Sequence, residues 1–448
     1  MQITNFEATG LDRVESWLCR YGGQATIEQL VQVLKTVNIS FILEEISRIQ
    51  STLICELKDS YVQQSQRYVT MSNDAFILPA LAANDEKRAR ELTLKAFSLY
   101  QAMSERKNGE FKGRPKLEHY LHGIPIEDAR YILPLSTKTN VCVAMSGDKL
   151  VDFFRLVNDS RYDDLFAEVR AKLLAFLPVQ LRRLMAEVPP VNVNQDMIKE
   201  FYAPYLAQVS PQQNLVLLEK FDNLDMKVGF GALTSTQKTT PSQTMARWGA
   251  DAPRKAQEVV ARVLGYGHDS IAEQARTTFG IMCSLVTYHQ QLRHRLTQNY
   301  REDLTVLLED VGREPKVPAT IANSRFYQAF RELVDEFKVF RQEIAARYGS
   351  AKALSFLLNC EQIKLIMSAN ARADISMLAD RTCMNAQWEI RELAIKKLMI
   401  LRSLSPVLYE RALPSCVWGK CREGALSCGQ QLAVREQFRK AMNDSGLQ

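Results

Sequence analysis

With 448 residues, 46 % of them hydrophobic, the chain has enough apolar material for two cores and is too long for one ordinary core. Its 57 Lys and Arg are interspersed with 51 Asp and Glu, leaving a formal charge of +6 and no concentrated basic block; arginines serving an anionic small molecule account for this as well as nucleic acid would. No run approaches the length of a membrane helix, and the acidic residues of "MQITNFEATGLDRVESW" are unlike a signal peptide, so the expected location is the cytoplasm.

Taken in chain order, the first notable segment is "SYVQQSQRYV" (60–69), a hydroxyl- and arginine-bearing stretch. Apolar residues every three or four positions predict a helix over 88–107, and β-branched residues in "NVCVAM" (140–145) predict a strand. Pro, Asn and Gln in "AEVPPVNVNQDMIKEFYAPYLAQVSPQQN" read as a connector holding one short helix. "RTTFGIMCSLVTY" (276–288), like "NVCVAM", reads as a strand or a strand-to-helix transition, and 386–404 again carries helical periodicity.

The chain repeats itself. "LPALAAN" (78–84) returns as "VPATIAN" (317–323), each opening a helical stretch; "ATIEQ" (25–29) is mirrored by "SIAEQ" (270–274), and "LFAEVRAKLLAFLP" (165–178) by "AQWEIRELAIKKLMI" (386–400). The expected fold is therefore α+β, with two tandem copies of one domain, each a β-sheet packed with long helices. The expected boundaries are 1–190 for the first copy, 191–212 for the linker and 213–448 for the second copy.

Chemistry concentrates in "GYGHDSIAEQARTTFGIMCSLVTYHQQLRHRL" (265–296), which holds three of the five histidines. Arg293, His294 and Arg295 are consecutive, so on a helix they fan out and cannot all face a core. Two guanidiniums and an imidazole offer donors for phosphate or for an electron-rich ring; a bare triplet reads more simply as a solvated basic helix end with a capping serine, and it is the whole spaced set that argues for a site. Cys283 lies six residues before His289, but the apolar run "FGIMCSLV" favours a buried core thiol over a nucleophile. Trp388, at helical spacing from Ala394 and Ile395, is expected to pack in the core.

The spaced set Gly267, His268, Ser270, Glu273, Phe279, Gln290 and Arg293-His294-Arg295 resembles the flavin-dependent thymidylate synthases of the ThyX type. The later block Asn370-Ala371-Arg372, Arg381 and Ala386-Gln387-Trp388-Glu389-Ile390-Arg391 resembles the same family. Past the triplet, however, the second copy reads Gln298, Tyr300, Asp303 and Thr305 where the family has its serine-rich end. That end stands in the first copy as Ser60, Gln63, Ser65, Arg67 and Tyr68, with Arg130 matching a further family arginine. Conversely, the first copy has Gly23 and "MSGDKL" where the flavin-site histidine and the Asn-Ala-Arg belong.

The resemblance implies FAD held by His268, Ser270, Arg293, His294, Arg295, Asn370 and Arg372, with Arg293, His294 and Arg295 also serving catalysis. It implies a pyrimidine nucleotide held by Gln290, Arg381, Ser60, Gln63, Ser65, Arg67 and Arg130. Methylenetetrahydrofolate would be the co-substrate and NADPH or another reductant would feed the flavin. Family active sites form between subunits of a homotetramer, so a duplicated chain can keep the nucleotide wall in one copy and the flavin wall in the other, and a homodimer would reproduce a pseudo-tetramer. The expected function is methylation of dUMP to dTMP; the alternatives are modification of another pyrimidine nucleotide at C5, or a non-catalytic nucleotide- or RNA-binding homologue. Nucleic acid is not the expected partner. Nine cysteines, odd in number and scattered, are expected as reduced thiols; Cys416, Cys421 and Cys428 cluster in the tail, where free thiols are the default over structural zinc.

Overall fold

In the computed structural model, which describes residues 1–21, 25–108, 116–191, 195–310 and 312–444, the alternation of burial along the strands shows how the sheets form. Gly23 lies outside the described residues. The first sheet comprises β1 (Gln2–Thr9), β2 (Asn38–Ser47), β3 (Ser60–Gln63) and β4 (Lys138–Ser146), antiparallel in the order β1-β2-β4-β3. Ile39, Phe41 and Leu43 of β2 and Val141, Val143 and Met145 of β4 point to one buried face, the period-two signature of a half-covered sheet. The helices Gly147–Val157 and Asp163–Ala175 cover that face, and Phe153 meets Phe41 edge-on at 5.9 Å.

The second sheet comprises β5 (Leu215–Lys220), β6 (Arg276–Ser284), β7 (Gln298–Arg301) and β8 (Gln362–Asn370), in the order β5-β6-β8-β7. This is the topology of the first sheet over again, as a tandem duplication requires. β6 is buried from Phe279 to its end, so both its faces are covered. Helices Ala371–Arg381 and Trp388–Leu404 follow β8 as their counterparts follow β4. The helix expected at 88–107 runs from Ala83 to Met103, and that expected at 386–404 from Trp388 to Leu404. "ATIEQ" and "SIAEQ" take different structures: the first opens the helix Ile27–Leu34 with a Thr26–Gln29 capping box, the second is a 3-10 turn running directly into β6.

The compact units cut across the copies. Unit 1 is Met1–Ile198 with Ser284–Arg293 and Asp303–Gln362; unit 2 is Lys199–Cys283 with His294–Glu302 and Ile363–Gln448. Unit 1 thus contains the first copy together with the helices Leu285–Gln291 and Tyr327–Tyr348 of the second.

Within unit 1 the two copies meet across a pseudo-twofold axis. Ser60 pairs with Ala144 in the first sheet and Gln298 with Ser368 in the second, so Ala144 corresponds to Ser368 and, by the same count, Pro134 to Leu358. Pro134 and Leu358 pair with each other. Around them Leu135 N–H donates to Leu357 O at 2.7 Å and Asn359 N–H to Leu133 O at 3.0 Å; Ser136 donates to Ser355 O and Cys360 to Tyr131 O, both at 2.8 Å. Each bond has its mate under the exchange of copies, which is the signature of an isologous contact. The long helices Ala83–Met103 and Tyr327–Tyr348 lie antiparallel, with Arg88–Glu343 at 2.8 Å and Lys95–Glu336 at 2.7 Å. Among the described residues no helix is long and apolar enough to cross a membrane.

Candidate functional site

Two short helices frame the site in unit 1. Ser47 caps Arg48–Cys55 and Ser284 caps Leu285–Gln291, each hydroxyl accepting from the third residue beyond it. Arg48 N–H donates to Thr137 O and Leu285 N–H to Glu361 O, so Arg48 and Leu285 occupy equivalent places.

Arg48, at 5 % exposure, donates Nε–H to His289 Nδ1 at 2.8 Å. His289 Nε2 meets Thr52 Oγ1, whose own proton goes to Arg48 O at 2.8 Å. The ring therefore carries its proton on Nε2, a tautomer assigned from its partners. Burial, then the charges of Arg48, Arg130 and Arg293, hold His289 well below the ordinary 6.5, so it is neutral. A histidine depressed on folding takes up its proton only in the unfolded chain as pH falls. The stability it leaves intact above about pH 6.5 is accordingly lost below that value, at up to about 1.4 kcal/mol per pH unit. Urea unfolding of the wild type should weaken more steeply between pH 6.5 and 5 than that of His289→Asn; equal slopes would refute the neutral buried ring.

Arg67, Arg130 and Arg293 lie close enough to act on one another or on the ring by charge. Arg130 is buried; its Nε–H donates to Glu127 O at 3.2 Å, and its Nη2 has no hydrogen-bond partner. Desolvation, followed by the charge of Arg67, pulls Arg130 down to about 10; desolvation with Arg130 and Arg293 pulls Arg48 down to about 9. Arg293 keeps solvent access, yet partial desolvation and Arg67 lower it too. Arg67 donates Nε–H to Glu127 at 2.8 Å and lies over the Tyr68 ring. Glu127 and Asp128 pull Arg130 back up only in part. The result is a cluster of mutually repelling arginines at the edge of a low-dielectric core.

Ser65 Oγ accepts from Arg67 N–H at 3.2 Å, forming the turn that presents Arg67. Gln63 Nε2 braces the Arg48–Cys55 helix through Ser51 Oγ at 2.6 Å, and Gln290 is buried beside Arg293 in sequence. Ser60 is exposed at the start of β3.

The symmetry-related half of unit 1 has none of this. Counting from the helix caps and strand registers, Arg48 corresponds to Leu285, Gln290 to Leu53, Arg293 to Glu56, Ser65 to Asp303, Arg67 to Thr305 and Arg130 to Leu354. Glu56 accepts instead from Tyr288 Oη at 2.8 Å.

The remaining expected residues lie in unit 2. Asn370 caps the helix Ala371–Arg381, accepting from Ala373 N–H at 2.8 Å; Arg372 pairs with Glu273 at 2.6 Å; Arg381 donates Nε–H to His294 Nε2 at 2.7 Å. His268, Ser270 and Arg295 are exposed. A cleft of about 970 Å³ is lined by Asp269, Arg372, Arg411, Trp418, Lys420 and Arg422 among others. Cys283 is buried, and both ring nitrogens of His289 are engaged elsewhere. Trp388 is half-buried at the start of its helix. All nine cysteines are free thiols, burial pushing Cys383 and Cys416 up, and among the described residues no three His, Cys, Asp or Glu side chains converge on a metal position.

Sequence reasoning missed Arg48 and noticed His289 only as a neighbour of Cys283. The available signal was a helix opening on arginine directly after its serine cap, where a cation is unfavourably placed against the helix dipole.

The sequence profile of the family described as thymidylate synthase complementing protein matches residues 18–173 and 216–407. The chain is similar to the flavin-dependent thymidylate synthase of Geobacter sulfurreducens, 31 % identical over 183 residues, covering 40 % of this chain and 79 % of the relative. Those of Thermococcus onnurineus (33 % identical, 37 % of this chain, 72 % of the relative) and Clostridium tetani (27 %, 41 % and 81 %) are similar as well.

Proposed function

The chain belongs to the thymidylate synthase complementing protein family, and we propose that it is a flavin-dependent enzyme methylating dUMP to dTMP with methylenetetrahydrofolate, with one composite nucleotide site per chain. The observation that carries this reading is the buried, unpartnered Nη2 of Arg130 inside a cluster of arginines drawn from both copies. Buried guanidiniums that depress one another's pKa are unfavourable unless an anion joins them. A nucleoside monophosphate brings close to two negative charges and acceptor oxygens for forked donation.

In this reading Arg67 and Arg130, with the Ser65 turn, hold the phosphate. Gln63 and Ser60 support that wall, Gln290 contacts the pyrimidine, and Arg293 stabilises charge developing on the base. In unit 2 the residues present fit a flavin dinucleotide: Arg372, Arg411, Lys420 and Arg422 supply donors for a diphosphate and Trp418 an aromatic face in a cleft of adequate size. His268, Ser270, His294, Arg295 and Asn370 would complete the FAD site, and Arg381, through its bond to His294, would orient that ring. Bound flavin supplies hydride and the folate supplies the one-carbon unit. We further propose NADPH as the reductant and a homodimer as the assembly.

Purified protein should be yellow, release tritium from C5-labelled dUMP only with methylenetetrahydrofolate, and bind one dUMP per chain by calorimetry. A colourless protein that takes up no dUMP would sink the reading; two tight nucleotides per chain would refute the single site, since the related half carries Glu56, Thr305 and Leu354 in place of the arginines.

A further inference from the structure

The Arg48–His289 pair is not accounted for by the motif residues. Helix arginines buried for structural reasons pair with carboxylates. Arg48 instead spends its Nε–H on a neutral ring, which leaves its charge uncompensated, and among the described residues its Nη groups have no hydrogen-bond partner. The hydrogen bonds around the ring form a closed set, from Arg48 Nε–H to His289 Nδ1, from Nε2–H to Thr52 Oγ1, and from Thr52 back to the Arg48 carbonyl. Each donor has one acceptor, so the guanidinium is held by its Nε with its outer fork left over.

The pseudo-twofold axis gives a second, independent observation. His289 and Thr52 occupy equivalent places in the two helices and touch each other, so this contact lies at the axis. In an assembly of identical subunits such a pair would be identical; duplication allows it to differ. Arg48 falls on the half that carries Arg67, Arg130 and Arg293, and its counterpart Leu285 falls on the half that has lost them.

We propose that Arg48 is a fourth arginine of the phosphate site and that His289, accepting at Nδ1, is the positioning residue that aims it. This rests on the nucleotide reading above. The asymmetric axis pair then explains how one half of unit 1 keeps a fork of donors while the other does not.

Calorimetric titration of the full chain with dUMP and with deoxyuridine tests it, with circular dichroism confirming the fold. Arg48→Met should weaken dUMP by about tenfold or more and leave deoxyuridine within about twofold. His289→Leu should give a comparable loss, whereas His289→Asn, whose amide oxygen replaces the Nδ1 acceptor, should stay within about threefold of wild type. If Arg48→Met does not fold, Arg48→Lys, which keeps charge and stem but not the fork, carries the same expectation. A folded variant with wild-type dUMP affinity, or one losing dUMP and deoxyuridine equally, overturns the proposal. Wild type that binds inorganic phosphate but not dUMP overturns the nucleotide reading alone; loss of that phosphate binding in Arg48→Met would still support the role of Arg48.

Discussion

Arg130→Met is expected to lower affinity for dUMP by about a hundredfold while raising the thermal midpoint of the ligand-free protein. The first effect follows from two charge-assisted hydrogen bonds at about 1.5–3 kcal/mol each, of which part is recovered by the neighbouring arginines. The second follows from the free state. Arg130 sits at 3 % exposure with an orphaned Nη2 and repels Arg67, and methionine fills similar space without a charge to desolvate. Function and stability therefore pull apart at this residue, as they do where a site is built to be completed by its ligand. Calorimetric titration and differential scanning calorimetry on the same preparation measure both. Unchanged affinity would remove Arg130 from the site, and a lowered midpoint would show that its packing outweighs its charge.

Sulfate or phosphate should raise the wild-type midpoint and leave that of Arg130→Met nearly unmoved, because an anion binds only where the cluster is intact.

The residues that sequence could find are those that sit in a spaced motif. Arg67, Arg130 and Arg293 stood out because they fall at motif positions that resemble the flavin-dependent thymidylate synthases, and the structure gathers them in unit 1. The duplication was legible from "LPALAAN" and "VPATIAN", which do precede equivalent helices. Arg48 and His289 were not legible, because their meaning lies in a bond spanning 241 positions between helices from different copies. Nothing in either local pattern announces that the two helices meet at an axis. The splitting of unit borders through the triplet, with Arg293 in unit 1 and His294 in unit 2, was equally hidden: strand and helix periodicity report which face is buried, not which partner buries it. Fourfold similarity of short blocks also overreached once, since "SIAEQ" shares letters with "ATIEQ" but not its helix.

In unit 2, Asp374→Ala is expected to destabilise by about 3–5 kcal/mol, a large share of the stability of an ordinary domain. Asp374 is fully buried in the helix Ala371–Arg381, where Oδ1 accepts from Lys397 Nζ at 2.6 Å and Oδ2 from Thr277 Oγ1 at 3.4 Å. Lys397, itself 2 % exposed, lies 4.8 Å from the Phe279 ring centre. Burial already depresses Lys397 below its usual 10.5 and Asp374 is the group that holds it up; alanine leaves an ammonium in an apolar layer with only the ring face for company. The sign of the pH response follows. A lysine depressed on folding destabilises fully at neutral pH, and the penalty is relieved as pH rises through its lowered pKa toward 10.5, so the variant should recover stability in alkali more than wild type does. Replacing both partners, Asp374→Leu with Lys397→Met, should recover most of the loss, because the penalty belongs to the stranded charge and not to the missing bond. The same helix begins at the Asn370 cap and carries Arg372 and Arg381, so flavin content should fall with the single variant and return with the double. Urea unfolding at pH 7 and 9.5 with the visible spectrum of each preparation decides it: a single variant within 1 kcal/mol of wild type would mean that water or a neighbouring group reaches Lys397 once Asp374 is gone.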